Sequence, residues 1–201
     1  MALNSGQLSI IMINELDKKG INGVSIPNFC QAMSEGVITT FISMNIVSTF
    51  DSGTTGFGQG IGNGRTCISG INPQILGARY ASNLYKRKIR GVDMESFANA
   101  VSTSVISHIL DNNLVNTMNA GVAVGMGTGK ISGLEPMTMS NACQINMKNK
   151  DIHGITVKDF CDAFGLAFCE HIQSMAIITI TISGSPTSPF AGSGTGFGKV
   201  T

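Results

Sequence analysis

Three stretches decide the fold: GINGVSIPNF at 20–29, KIRGVDMESF at 88–97 and DIHGITVKDF at 151–160. Registering the chain on Gly23, Gly91 and Gly154 leaves an ungapped match of some 45 positions, with spacings of 68 and 63 residues. Ile21, Ile89 and Ile152 precede the glycines, and Phe29, Phe97 and Phe160 follow six residues later. Upstream stand Leu8, Met12 and Leu16, then Leu76, Tyr80 and Leu84, then Met139, Cys143 and Met147. A spacing of four marks one helix face, so a helix is predicted before each glycine turn.

Ser25, Asp93 and Thr156 fall where a second helix needs an N-cap, since a side-chain oxygen there can accept from a free first-turn amide. The buried stripes predicted for those helices are Phe29, Met33, Val37 and Phe41; Phe97, Val101, Val105 and Ile109; and Phe160, Phe164, Phe168 and Ile172. Ala32, Ala100 and Ala163, with Gly36, Ser104 and Ala167, flank the stripes and predict close helix packing. Extended segments follow at Ile46 and Val47, Leu114 and Val115, and Ile177 and Ile178, the third running on as the β-branched IITITIS. Gly53, Gly121 and Gly184 are expected to end them.

The reading is therefore a mainly α chain with short β segments (α+β). It is built as three tandem helix-turn-helix-strand repeats with glycine-rich tails over 1–70, 71–136 and 137–201, together one compact domain. Units that cannot bury their faces alone would stack or cluster about a pseudo-threefold axis.

The composition bears on partners. Of 201 residues, 42% are hydrophobic and 12% charged, about half the usual charged share of roughly 25%. Mean hydropathy is +0.22. Such a surface suits a subunit covered by neighbours. A formal charge of +1 argues against a dedicated nucleic-acid binder, although 85–90 (YKRKIR) forms one dense basic run open to an anionic partner. Five cysteines without CxxC spacing suggest neither a zinc site nor a disulfide framework. The apolar start of the chain falls short of a membrane span and lacks the basic flank of a signal peptide, so a cytosolic setting is expected.

Glycines occupy alternate positions at 56–64, 125–129 and 192–198, and TGFG occurs twice. Period two leaves one strand face bare, so another backbone can approach closely. An interface is the preferred reading, carried by Phe57, Gly58, Gly60, Gly127, Gly129, Gly194, Gly196 and Phe197, with the two phenylalanines as anchors. On that reading residues 192–201 should be dispensable to the stability of the monomer. The competing reading is phosphate binding by backbone amides. It fails the P-loop pattern twice, because Val124 and Ser193 stand where the first glycine belongs and Ile131 and Val200 where Ser or Thr is needed. A glycine-zipper pore would need spacing of four rather than two.

No catalytic site is expected. His108 and His171 share one repeat position near a helix end, where carbonyls and the dipole explain them. Cys169 and His171 are two apart on a helix and do not face each other. Cys30 and Cys161 coincide in the repeat as small core residues. Lys19, Arg87 and Lys150 coincide at the end of the first helix, opposite the negative end of its dipole. No carboxylates recur as a pair, and no metal site or cofactor is expected.

The tandem [ST/D]-x-x-x-F-x-x-A helices, followed by GMGTGKISGL at 125–134 and GSGTGFGK at 192–199, resemble the small repeat-containing virion structural proteins of large tailed (T4-like or jumbo) bacteriophages. The resemblance implies a non-enzymatic subunit of a capsid, neck or tail, held by protein contacts in a homo- or hetero-oligomer. It also implies assembly in the host cytoplasm. A small phosphate- or nucleotide-binding protein or enzyme is the alternative.

Overall fold

A computed structural model describes residues 3–56, 59–112, 114–120, 124–188 and 191–201. Helix pairs and β-hairpins alternate along the chain. Helices α1 (Ser5–Lys18) and α2 (Ile26–Met44) lead into β1 (Ile46–Gly56) and β2 (Gln59–Ser69). Next come α3 (Pro73–Lys86), α4 (Met94–Asn112), β3 (Leu114–Ala120) and β4 (Val124–Ser132). The chain ends with α5 (Pro136–Lys148), α6 (Val157–Met175), β5 (Ile178–Ser188) and β6 (Ala191–Val200).

The helices form a closed ring in chain order, α6 returning to α1. The strands close an antiparallel barrel in the same order, with β6 returning to β1. The barrel is joined end-on to the helical ring through contacts of α2 with β6, α4 with β2 and α6 with β4. Closure leaves no edge among the described strands to template pairing with other chains.

The helix stripes lie where the spacing places them. Leu8, Met12 and Leu16, Leu76, Tyr80 and Leu84, and Met139, Cys143 and Met147 are all buried, as are Met33, Val37, Phe41, Val101, Val105, Ile109, Phe164, Phe168 and Ile172. Phe29, Phe97 and Phe160 are only half-buried, because they sit at the open end of the ring. The core continues into the barrel through Val47, Ile68, Ile131, Ile178, Ile180 and Val200.

Close packing explains the small residues. A Cβ added at Gly36 would stand 2.5 Å from the ring of Tyr80, so the bare backbone of α2 makes room for the tyrosine of α3. Among the described residues the fully buried Tyr80 hydroxyl has no hydrogen-bond partner. Burying an unsatisfied hydroxyl costs about 1–3 kcal/mol, so Tyr80→Phe should stabilise the fold by about 1 kcal/mol. Urea denaturation measures this; a loss of stability would mean that the hydroxyl is satisfied.

Ser25, Asp93 and Thr156 do occupy the position before each second helix, but the expected capping differs. Ser25 and Thr156 take helical backbone angles and make no side-chain cap bond. The carbonyls of Ser25, Asp93 and Thr156 instead accept from Phe29, Phe97 and Phe160. Side-chain caps occur at two of the three first helices, where Asn4 accepts from the amides of Gly6 and Gln7, and Asn72 from those of Gln74 and Ile75; Glu135 before α5 makes none.

The glycine-rich segments read as tails are second strands of hairpins, and β1 and β5 run through Gly53 and Gly184 rather than ending there. Gly121 lies outside the described residues. The tracts do not pair with one another but alternate with β1, β3 and β5, and they meet the glycines of β1 and β5, Gly53 pairing with Gly62 and Gly192, and Gly184 with Gly194. The expectation that 192–201 is dispensable is overturned. Strand β6 is hydrogen-bonded to both β1 and β5, and Val200 is buried. Buried Asn45 also locks β6 to the helices, donating from Nδ2 to the Val200 carbonyl at 3.2 Å and accepting the Val200 amide at 2.7 Å.

Candidate interaction surface

The three quoted turns lie at one end of the helical ring, opposite the barrel. Each first helix ends with a residue in the left-handed region, Gly20 (φ 72°), Lys88 (φ 61°) or Asp151 (φ 56°). In each turn the next residue's amide reaches back to the last buried helix position: Ile21 to Leu16, Ile89 to Leu84 and Ile152 to Met147. These 6→1 bonds point the chain inward and start the second helix at the centre of the ring.

There Phe29, Phe97 and Phe160 meet. Their centroids are 5.8 Å (Phe29 to Phe97), 5.9 Å (Phe29 to Phe160) and 5.4 Å (Phe97 to Phe160) apart, within the range of favourable aromatic pairs. Phe164 and Phe168 continue a stacked column into the core. Beside the trio opens an apolar hollow of about 230 Å³, walled also by Leu16, Ile26, Met147 and Ile152. The same three turns carry Val24, Val92 and Ile155, 98%, 102% and 99% exposed. A β-branched residue after each glycine was visible in the aligned turns. Apolar patterning alone assigns such residues to a core, and only the turn geometry turns them outward.

Cations concentrate in these turns and are largely balanced there. The segments 17–28, 85–96 and 148–159 hold nine of the thirteen Lys and Arg residues and five of the twelve Asp and Glu, and Glu15, Glu35 and Asp162 pair with their cations from the adjoining helices, which leaves this end with net +1. Lys19 lies 3.7 Å from Asp159 and 3.6 Å from Asp162, and Arg87 lies 2.6 Å from Glu35. These two therefore tie neighbouring helices together in addition to facing the helix dipole. Among the described residues, no carboxylate pairs with Lys86, Lys88, Arg90, Lys148 or Lys150.

The glycine-tract candidates lie in the barrel. Gly127 and Gly196 are buried and Gly129 half-buried; Gly60 and Gly194 pair within β2 and β6. Phe197 is 66% exposed on the outer face of β6. Phe57 and Gly58 lie outside the described residues.

The buried titratable groups do not form an activated site. Sequence spacing separates Cys169 from His171, but the fold brings the Cys169 thiol within 3.8 Å of His108 Nε2 across α4 and α6. Burial pushes the thiol up to about 12 and holds the imidazole below its ordinary value, so both stay neutral and no thiolate forms. His108 packs against the Asn112 side-chain amide, and His171 Nε2 accepts the backbone N–H of Asn4 at 3.4 Å, so the rings meet these groups rather than free helix carbonyls. Cys30, Cys143 and Cys161 are buried free thiols, and burial raises Cys30 to about 12. A groove of about 590 Å³ between α3 and α4 is lined by Ser82, Tyr85, Lys86, Glu95 and Asn99, with no histidine or cysteine among them. Among the described residues there is no cluster of three or more His, Cys, Asp or Glu to hold a metal, and no helix is long and apolar enough to cross a membrane.

The histidines set an acid limit. Burial depresses the folded pKa of both His108 and His171 below 6.5. Below pH 6.5 the unfolded chain therefore takes up protons that the folded chain refuses. Stability is full above that pH and falls as pH drops toward the folded values, by up to about 1.4 kcal/mol per pH unit for each histidine. Urea midpoints between pH 7 and 5 should show this, and His171→Gln should flatten the slope.

Comparison with protein-family models, characterised proteins and solved structures finds no match at any of the three levels.

Proposed function

We propose that the chain is a non-enzymatic assembly subunit, a virion structural protein of a tailed bacteriophage capsid, neck or tail. On this reading it consists of three tandem units about a pseudo-threefold axis, and it binds other virion proteins as part of an oligomer formed in the host cytoplasm. The observation that carries the assembly reading is the set of three equivalent, fully exposed side chains, Val24, Val92 and Ile155, on the same end of the ring as a half-buried phenylalanine trio. Apolar surface gathered at one end of a fold marks an interaction site. Exposed Phe197 offers a second contact on the barrel wall.

The alternative, a phosphate or nucleotide held by the glycine tracts, is disfavoured by their hydrogen bonding. A phosphate cradle needs consecutive free amides. Strands β2, β4 and β6 each lie between two neighbours, so their amides serve the ladders. Mass spectrometry of gradient-purified particles tests the proposal. A fixed copy number supports it; absence from the particle, or a saturable nucleotide-dependent thermal shift, would overturn it.

A further inference from the structure

We propose that the packed face between α5 and α6 is a soft-metal site, in which the sulfurs of Cys143, Met147 and Cys161 bind one Cu(I) ion. Such a site is separate from the assembly surface and does not depend on the virion reading.

Cys143 and Met147 lie four residues apart on α5, so one helix face presents both sulfurs, and Cys161 meets them from α6. The Cys161 thiol donates to the Met147 thioether at 3.9 Å and is in hydrogen-bond contact with Cys143. Metal–sulfur bonds of about 2.3 Å in a trigonal plane hold their sulfurs about 4 Å apart, so the spacing already present needs little adjustment. Among the described residues no third His, Cys, Asp or Glu joins the two thiols. Two thiols and a thioether without a hard donor suit Cu(I) and leave zinc short of its four ligands.

Packing alone does not require these sulfurs. Eleven and seven residues before the registering glycine, and seven after it, stand Met12, Leu16 and Cys30, then Tyr80, Leu84 and Ala98, and only in the third stretch Cys143, Met147 and Cys161. Leu16, Leu84 and Ala98 are as deeply buried as their sulfur-bearing counterparts. The trio is reached from one side, because Met147 and Phe160, the residue before Cys161, wall the apolar hollow at the helical end. Contact with Cys143 and then burial push the Cys161 thiol above its ordinary value, so it stays protonated until a metal displaces the proton. One Cu(I) and two thiols thus give a Cu(I) bis-thiolate with the thioether as third donor, and two protons leave to solvent.

The reduced full chain, titrated with Cu(I) under nitrogen against a colorimetric Cu(I) chelator, tests the site. One copper per chain is expected, with an ultraviolet thiolate-to-copper absorption and an affinity that rises about a hundredfold per pH unit as two protons leave. X-ray absorption should show only sulfur around the copper, at about 2.3 Å. Cys161→Ala should weaken binding about a hundredfold or more, and Met147→Leu about tenfold. Each installs the residue that stands at the same offset in another stretch, so both variants should fold, and leucine for methionine conserves volume. Cys30→Ala should bind like wild type. Failure to hold copper against the chelator, unchanged affinity in either Cys161→Ala or Met147→Leu, an equal loss in Cys30→Ala, or nitrogen or oxygen donors in the absorption spectrum would overturn the site.

Discussion

Gly198→Val should strongly destabilise the barrel. Strand β6 runs between β1 and β5, with Gly198 opposite Val47 and Ile180. A Cβ at this position would lie 2.0 Å from the Thr179 carbonyl oxygen and 2.8 Å from the Ile180 Cα. Both obstacles are backbone, so no rotamer change relieves them, and the two strands would have to separate. Separation would break the ladder, open the barrel and disturb the Asn45 bonds to Val200. The expected loss is about 3 kcal/mol or more, at the upper end of overpacking costs. Urea denaturation of Gly198→Ala and Gly198→Val measures it. The smaller substitution should fall between wild type and valine, and near-wild-type stability for both would mean that β6 does not pack against β5 as described.

The second large effect separates the core from the open end of the same aromatic column. Phe168 is fully buried and stacks on Phe164 at 6.2 Å, so Phe168→Ala should cost about 3–5 kcal/mol through lost transfer energy and the cavity left behind. Phe97 is half-buried and sits at the mouth of the hollow. With part of its surface already in water, Phe97→Ala should cost less, about 2 kcal/mol or below. The prediction is the ordering. Equal costs would make Phe97 a core residue and remove the hollow as a surface feature.

This contrast shows what could be read from the residues. Spacing by four found the buried faces of all six helices, because helix packing acts on a face that recurs every turn. It treated Phe29, Phe97 and Phe160 as the first rung of that stripe, correct in direction but silent on where the ring ends. The glycine alternation announced a close backbone approach, and Gly198 shows where one is made, within the monomer. Composition could not tell a strand that closes a barrel from one that reaches another molecule, because both present the same bare face. The barrel joins β6 to β1 across almost the whole chain, a pairing that no local pattern encodes. Val24, Val92 and Ile155 were hidden for the opposite reason: their residue types speak for burial, yet the turn between the two helices of each pair leaves them fully exposed.

The most direct test of the account is incorporation of V24S/V92S/I155S into the parent particle, scored as copy number by quantitative mass spectrometry against wild type. The three side chains are fully exposed, so the variant should fold and melt like wild type. The account predicts that its copy number falls about tenfold or more. Incorporation at the wild-type copy number would contradict it, and would show that the helical end is not the surface through which this protein assembles.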